Sequence, residues 1–96
     1  MTTRVLLVED DENITELVRY NLETSGFIVD CVADGEEGLF KAEEDTPDII
    51  LLDWMLPNLS GLEICRQLRR KTTTQNVPII MLTARADEPD RIRIIL

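Results

Sequence analysis

An α/β fold built on one parallel sheet is what this sequence predicts, and three observations predict it. Short apolar runs alternate with stretches of helical spacing along the whole chain. The stretches between runs are long enough for crossover connections, so neighbouring strands should run parallel with right-handed links. The run Ile49-Ile50-Leu51-Leu52 shows no polar alternation, which suits a strand covered on both faces. With 96 residues there is room for one domain, spanning 1–96. A domain of that size hides roughly 60–68% of its unfolded surface, so its core is thin.

Arg4 to Val8 reads as the first buried strand, and Asp11 offers a helix N-cap after it. Ile14, Leu17, Val18 and Leu22 then share one helical face. Gly26 is placed to close that helix with a left-handed cap. Phe27 to Val32 alternates, with Asp30 on the polar side, and reads as an edge strand. Asp34-Gly35 opens a second helix carrying Leu39, Phe40 and Ala42, which must stop before Pro47. Asp48 to Asp53 is the central strand. Ser60 to Glu63 fits a capping box. The helix it starts should bury Leu62, Cys65 and Leu68 and end in Arg69-Arg70-Lys71, which suits the negative end of the helix dipole. Val77 to Leu82 is a fourth strand, with Pro78 near its start because proline donates no ladder bond. In the tail, Asp87-Glu88-Pro89-Asp90 suits a first helical turn, with Ile92, Ile95 and Leu96 on one face. "RIRIIL" also alternates like a strand; the helix is the expectation adopted.

Composition closes several routes. The net charge is −9, from 10 basic and 19 acidic residues, which argues against direct nucleic-acid binding. There is no histidine, and Cys31 and Cys65 stand apart without a CxxC pairing, so zinc and thiol chemistry are poorly supported. Both cysteines read as reduced core residues. No apolar run approaches the roughly 18 residues of a membrane span, and "MTTRVLLV" is too short for a signal peptide. A cytoplasmic protein is expected.

The strand ends carry the chemistry. Ligands of open parallel sheets bind beyond the carboxyl ends of the strands. There the first strand places Glu9-Asp10-Asp11, the third Asp53, and the fourth Thr83-Ala84. Converging carboxylates repel one another, and a hard divalent cation relieves that repulsion. Oxygen-only ligands point to Mg²⁺, with Mn²⁺ as a substitute, and Mg²⁺ recruits phosphate oxygens. Asp53 could itself be a nucleophile forming an acyl phosphate, and the Thr83 hydroxyl could donate to the new phosphoryl oxygens. Taken singly these residues say little: Asp11 reads as an ordinary helix cap, Asp53 could cap a turn, and Thr83 alone means almost nothing. The combination of three strand ends is what is specific.

The segments "VLLVEDDENI", "PDIILLDWMLPNLSGLEICRQLR" and "VPIIMLTARADEPDRIR" resemble the receiver domains of bacterial two-component response regulators. They cover nearly the whole chain, and "LLDWMLP" with "MLTAR" is most similar to the OmpR/PhoB subfamily. The resemblance implies a flavodoxin-like (CheY-like) doubly wound sheet of strand order 2-1-3-4. It implies that Asp53 accepts a phosphoryl group from a histidine kinase. It makes Asp10 a direct Mg²⁺ ligand, Glu9 a ligand through water, and Asp53 and the Met55 backbone carbonyl further ligands. Thr83 becomes the switch hydroxyl, and Leu56-Pro57 shape the loop after Asp53. The module would be a phosphoacceptor, with at most self-catalysed transfer and dephosphorylation, and not an enzyme in the ordinary sense. In a longer member it would control transcription of a phosphate response through a DNA-binding domain that this chain does not carry.

Members of the family continue with a fifth strand ending in lysine and proline, then a fifth helix. This chain ends at Leu96, with "DRIRIIL" where the family reads "DRIRGLE". A C-terminally incomplete receiver lacking both elements is therefore expected, whether by truncation, an engineered junction or a swapped segment. The fourth strand would be an exposed edge and the sheet face beside the first helix would be bare, so a homodimer or other self-association is expected. Two other readings compete. A phosphatase-type hydrolase with an aspartyl nucleophile places a second acid two residues on, where this chain has Met55. A phosphorylation-incompetent fragment would act only as a self-associating scaffold.

Overall fold

β3 lies at the centre of a single sheet, and everything else is arranged around it. The computed structural model describes residues 2–82 and the backbone of 92–95. In chain order the elements are β1 (Arg4–Val8), α1 (Glu12–Thr24), β2 (Ile28–Val32), α2 (Gly35–Glu44), β3 (Ile49–Asp53), α3 (Gly61–Arg70), β4 (Ile79–Leu82) and β5 (Ile92–Ile95). The parallel part has the expected order, β2-β1-β3-β4, with β5 added beyond β4. Val8 pairs with Leu52 and Asp53 with Leu82, so these strands end at the same level. No helix among the described residues is long and apolar enough to cross a membrane.

Side-chain alternation splits the strands between two layers. Leu6, Val8, Ile50, Leu52, Ile79 and Met81 face α2 and α3, where Ala42, Ile64, Cys65 and Leu68 meet them. Val5, Leu7 and Val29 face α1 and pack with Val18, Leu22 and Phe27. The caps are those the sequence specifies. Asp11 accepts from the amides of Asn13 and Ile14, Asp34 from Glu36, and Ser60 from Glu63. At the end of α1, Gly26 adopts φ 95°. Its amide donates to the Glu23 carbonyl at 3.0 Å and the Phe27 amide to the Leu22 carbonyl at 3.0 Å. This is a Schellman closure, completed by Leu22 and Phe27 in the same apolar cluster.

The tail differs from expectation. Ile92–Ile95 is a strand, not a helix, and it runs antiparallel to β4 with Ile79 opposite Ile95. The physical reason is twofold. β-branched residues favour strands, and the outer edge of β4 offers a row of backbone groups that need partners. The same pairing corrects the expectation of a bare β4 edge. Among the described residues there is no fifth parallel strand and no helix after α3. The expected helix start at 87–90 lies outside the described residues.

The expected burial of Leu62 also changes, and two further apolar helix residues lie outward. Leu17 is 64% exposed, Phe40 64% and Leu62 44%. No residue of α1 is fully buried, and Leu17 and Tyr20 lie on its outward side. α2 presses on the sheet through Gly38 and Ala42, while Gly35 meets Leu59 and Ile64, and Phe40 is left on the far side. In α3 the inward position belongs to Ile64 rather than Leu62, beside Cys65 and Leu68.

Candidate functional site

The site is made by two neighbouring parallel strands that stop together. Val8 faces Leu52 across the ladder, so the next residues, Glu9 and Asp53, fall side by side at the carboxyl rim. The Glu9 amide continues the sheet by donating to the Val32 carbonyl at 3.0 Å. Its carboxylate turns back and accepts the Asp11 amide at Oε2, 3.1 Å away. Thr15 reaches from α1 to donate its hydroxyl to the Glu9 carbonyl at 3.4 Å. Asp10 sits on the turn and is exposed. The Asp11 side chain serves as a cap, its Oδ1 accepting from Asn13 N at 2.8 Å and Ile14 N at 3.2 Å.

Asp53 is held as firmly. The following amide, Trp54, donates to the Leu82 carbonyl at 2.9 Å, and the Met55 amide donates to Asp53 Oδ1 at 3.4 Å. The chain after Asp53 loops out and returns at Gly61, whose amide donates to the Trp54 carbonyl at 3.2 Å. A side chain at Gly61 would put its Cβ 2.5 Å from the Asp53 carbonyl, so this close return requires glycine. Met55 is largely exposed, and it reaches the site through its backbone amide. Thr83 lies outside the described residues.

Glu9, Asp10 and Asp53 each offer a carboxylate oxygen, and these oxygens lie within 4.8 Å of one another. Two of the three acids are removed from water: Glu9 is 4% exposed and Asp53 5%. Burial pushes the Glu9 carboxyl up to about 7, with the Asp53 charge adding to the rise. Burial also raises Asp53, against the opposing pull of its bond from the Met55 amide. Buried carboxylates this close destabilise the charged state of the pair. The donor set is all oxygen and partly solvent-facing, which fits a hard divalent cation that keeps some of its waters. A cleft of about 360 Å³ opens beside it toward α1, lined by Glu9, Asp10, Glu12, Glu16 and Cys31 among others.

Sequence reasoning assigned no part to Asn58 and took Asp34 only as a helix cap. Asn58 carries φ 69° and donates its side-chain amide to Asp34 Oδ2 at 3.1 Å. The signal available was the dipeptide Pro57-Asn58, since asparagine after proline suits a turn with positive φ.

The sequence matches the family described as Response regulator receiver domain over residues 5–95. The chain belongs to this family. It is a PhoB/PhoP-like receiver domain of the two-component response regulators. The chain is 48% identical over 93 residues to the phosphate regulon transcriptional regulatory protein PhoB of Rhizobium meliloti, covering 97% of this chain and 41% of that protein. It is 49% identical over 92 residues to the alkaline phosphatase synthesis transcriptional regulatory protein PhoP of Bacillus subtilis, covering 96% and 38%. This receiver thus spans about two fifths of the regulators it resembles. Among solved structures, it superposes with a TM-score of 0.85 and 37% identity on the receiver domain of sensor histidine kinase PA1611 from Pseudomonas aeruginosa. That match covers 95% of this chain and 75% of the other, whose crystal structure has a magnesium ion coordinated in the active site cleft.

Proposed function

We propose that this receiver takes a phosphoryl group from a phosphohistidine of a histidine kinase onto Asp53. The observation that carries the reading is the meeting of Glu9, Asp10 and Asp53 within 4.8 Å at the shared rim of β1 and β3. An Asp53 carboxylate oxygen attacks phosphorus, the phosphorus–nitrogen bond of the donor breaks, and an acyl phosphate forms while imidazole leaves. Asp10 and Asp53, with Glu9 through water and the Met55 carbonyl, would hold Mg²⁺, and Mn²⁺ would substitute. Bound there, the cation supplies charge neutralisation for the phosphoryl oxygens. The chain's own part is positional. The Met55 amide fixes one oxygen of Asp53, and the β3–β4 bond at Trp54 fixes the strand end behind it. Thr83 would donate its hydroxyl to the transferred group.

Control of transcription in a phosphate response extends the same reading, supported by the likeness to PhoB and PhoP. A DNA-binding domain would have to come from outside these residues. Incubation with a small phosphoryl donor and Mg²⁺ tests the chemistry. Intact-mass analysis should show one added phosphoryl group that does not form in Asp53→Ala or when Mg²⁺ is chelated beforehand. Persistence of the adduct in Asp53→Ala would assign the acceptor to another residue.

A further inference from the structure

The geometry points to Asn58 as a positioning residue: its side-chain amide ties the loop after Asp53 to Asp34, so that the metal-binding backbone and the first turn of α2 are set together. The inference rests on the metal reading above and deepens it. Residues 54–60 connect β3 to α3 and carry Met55. The loop closes at its base through Gly61 and Trp54, and it tightens near its tip where the Leu59 amide donates to the Pro57 carbonyl at 2.8 Å. Neither bond reaches beyond the loop and the helix it leads into. The Asn58 side chain does, across 24 positions of sequence, to Asp34 Oδ2 at 3.1 Å.

Asp34 divides its two oxygens. Oδ2 receives Asn58, while Oδ1 receives the Glu36 amide at 2.8 Å and caps α2. One carboxylate therefore serves both the loop and the helix. A second contact reinforces the first: Gly35 lies so close to the Leu59 backbone that it has no room for a Cβ. Positive φ alone would favour glycine at position 58. Asparagine meets the same backbone demand and adds the bond. A loop displaced at Met55 must strain or break the Asn58–Asp34 bond, and the α2 cap shares that acceptor. Cation binding at the rim and order in the first turn of α2 are coupled through this pair.

The test is calorimetric titration of the protein with MgCl2, alongside amide exchange at Glu36 and thermal melting without metal. Asn58→Gly keeps the positive φ and removes the bond. Asp34→Ser keeps a capping oxygen but is too short to reach Asn58. Each should weaken Mg²⁺ binding about tenfold, the low end for groups that orient metal ligands through a second residue. The double variant should bind no worse than either single one. The exchanged pair, Asp34→Asn with Asn58→Asp, keeps a cap and a donor–acceptor contact and should recover most of the affinity. Mg²⁺ should slow exchange at the Glu36 amide in the parent and not in Asn58→Gly. Singles that bind like the parent, losses that multiply in the double variant, or an exchanged pair as weak as the singles would each overturn the inference. A parent protein that binds no Mg²⁺ would instead remove the metal reading, and this inference with it.

Discussion

The two faces of the sheet are packed to different depths. Among the described residues, twelve buried ones form one cluster toward α2 and α3, including Leu52, Leu68 and Ile79 with no exposed surface at all. Toward α1, three of the described residues are buried in the cluster, Val5, Leu7 and Val29, and α1 itself contributes no buried residue. Ile49, Leu51 and Leu82 stay half-buried on that side. One layer therefore acts as the rigid backing of the rim, and the other is thin. Asp53 belongs to the strand that both layers share. Its strand is held by the ladders to β1 and β4 and by the dense layer behind Ile50 and Leu52.

Substitution of Leu52 by alanine should have the largest effect, about 2–5 kcal/mol lost in urea unfolding, because the dense layer cannot close around the cavity. Leu51→Ala, one residue along and on the other face, should cost less than half as much. Equal losses would mean that the α1 face is as well filled as its opposite.

A smaller effect sits at the rim and depends on pH. Glu9 has its carboxyl raised from 4.5 to about 7. Between those values the folded chain binds more protons than the unfolded one, so metal-free stability should fall as pH rises from 4.5 through 7. Glu9→Gln should flatten that slope. Mg²⁺ should add stability at pH above about 7 and little below 4.5, where Glu9 is protonated. A slope unchanged in Glu9→Gln would place the pH dependence elsewhere in this acidic chain.

Gly26→Ala at the end of α1 should cost about 1 kcal/mol, since φ 95° is strained for any residue with a Cβ. Mg²⁺ affinity should not change with it. Leu17→Ser, on the outward stripe of α1, should shift stability by no more than about 0.5 kcal/mol. A clear loss there would show that α1 has a covered face in solution.

Much of the fold was legible because it follows from local pattern. The capping residues Asp11, Asp34 and Ser60 did what short polar side chains do before a helix, and the unbroken run before Asp53 was indeed the centre of the sheet. The meeting of Glu9, Asp10 and Asp53 was legible for a related reason, while Thr83 lies outside the described residues. Parallel strands of equal register bring their ends to one rim, so acids at strand ends had to meet once the order was known. Leu62 was misjudged, and the outward place of Leu17 and Phe40 was not legible, because helical spacing gives a stripe but not which of two adjoining stripes a neighbour covers. Asn58 escaped because its partner, Asp34, is remote in sequence.

The sequence by itself determined the alternation of strands and helices, the caps, and the acids at the strand ends. Those properties depend on residues within a turn or two of each other. Only the tertiary structure decided the fate of 92–95. A segment with both periods resolves by what it touches, and here the open backbone of β4 made it an antiparallel strand. Tertiary structure likewise decided the depth of each face, the burial that lifts Glu9, and the bond from Asn58 to Asp34. Each of these depends on groups far apart in the chain arriving at one place, and no local pattern records that.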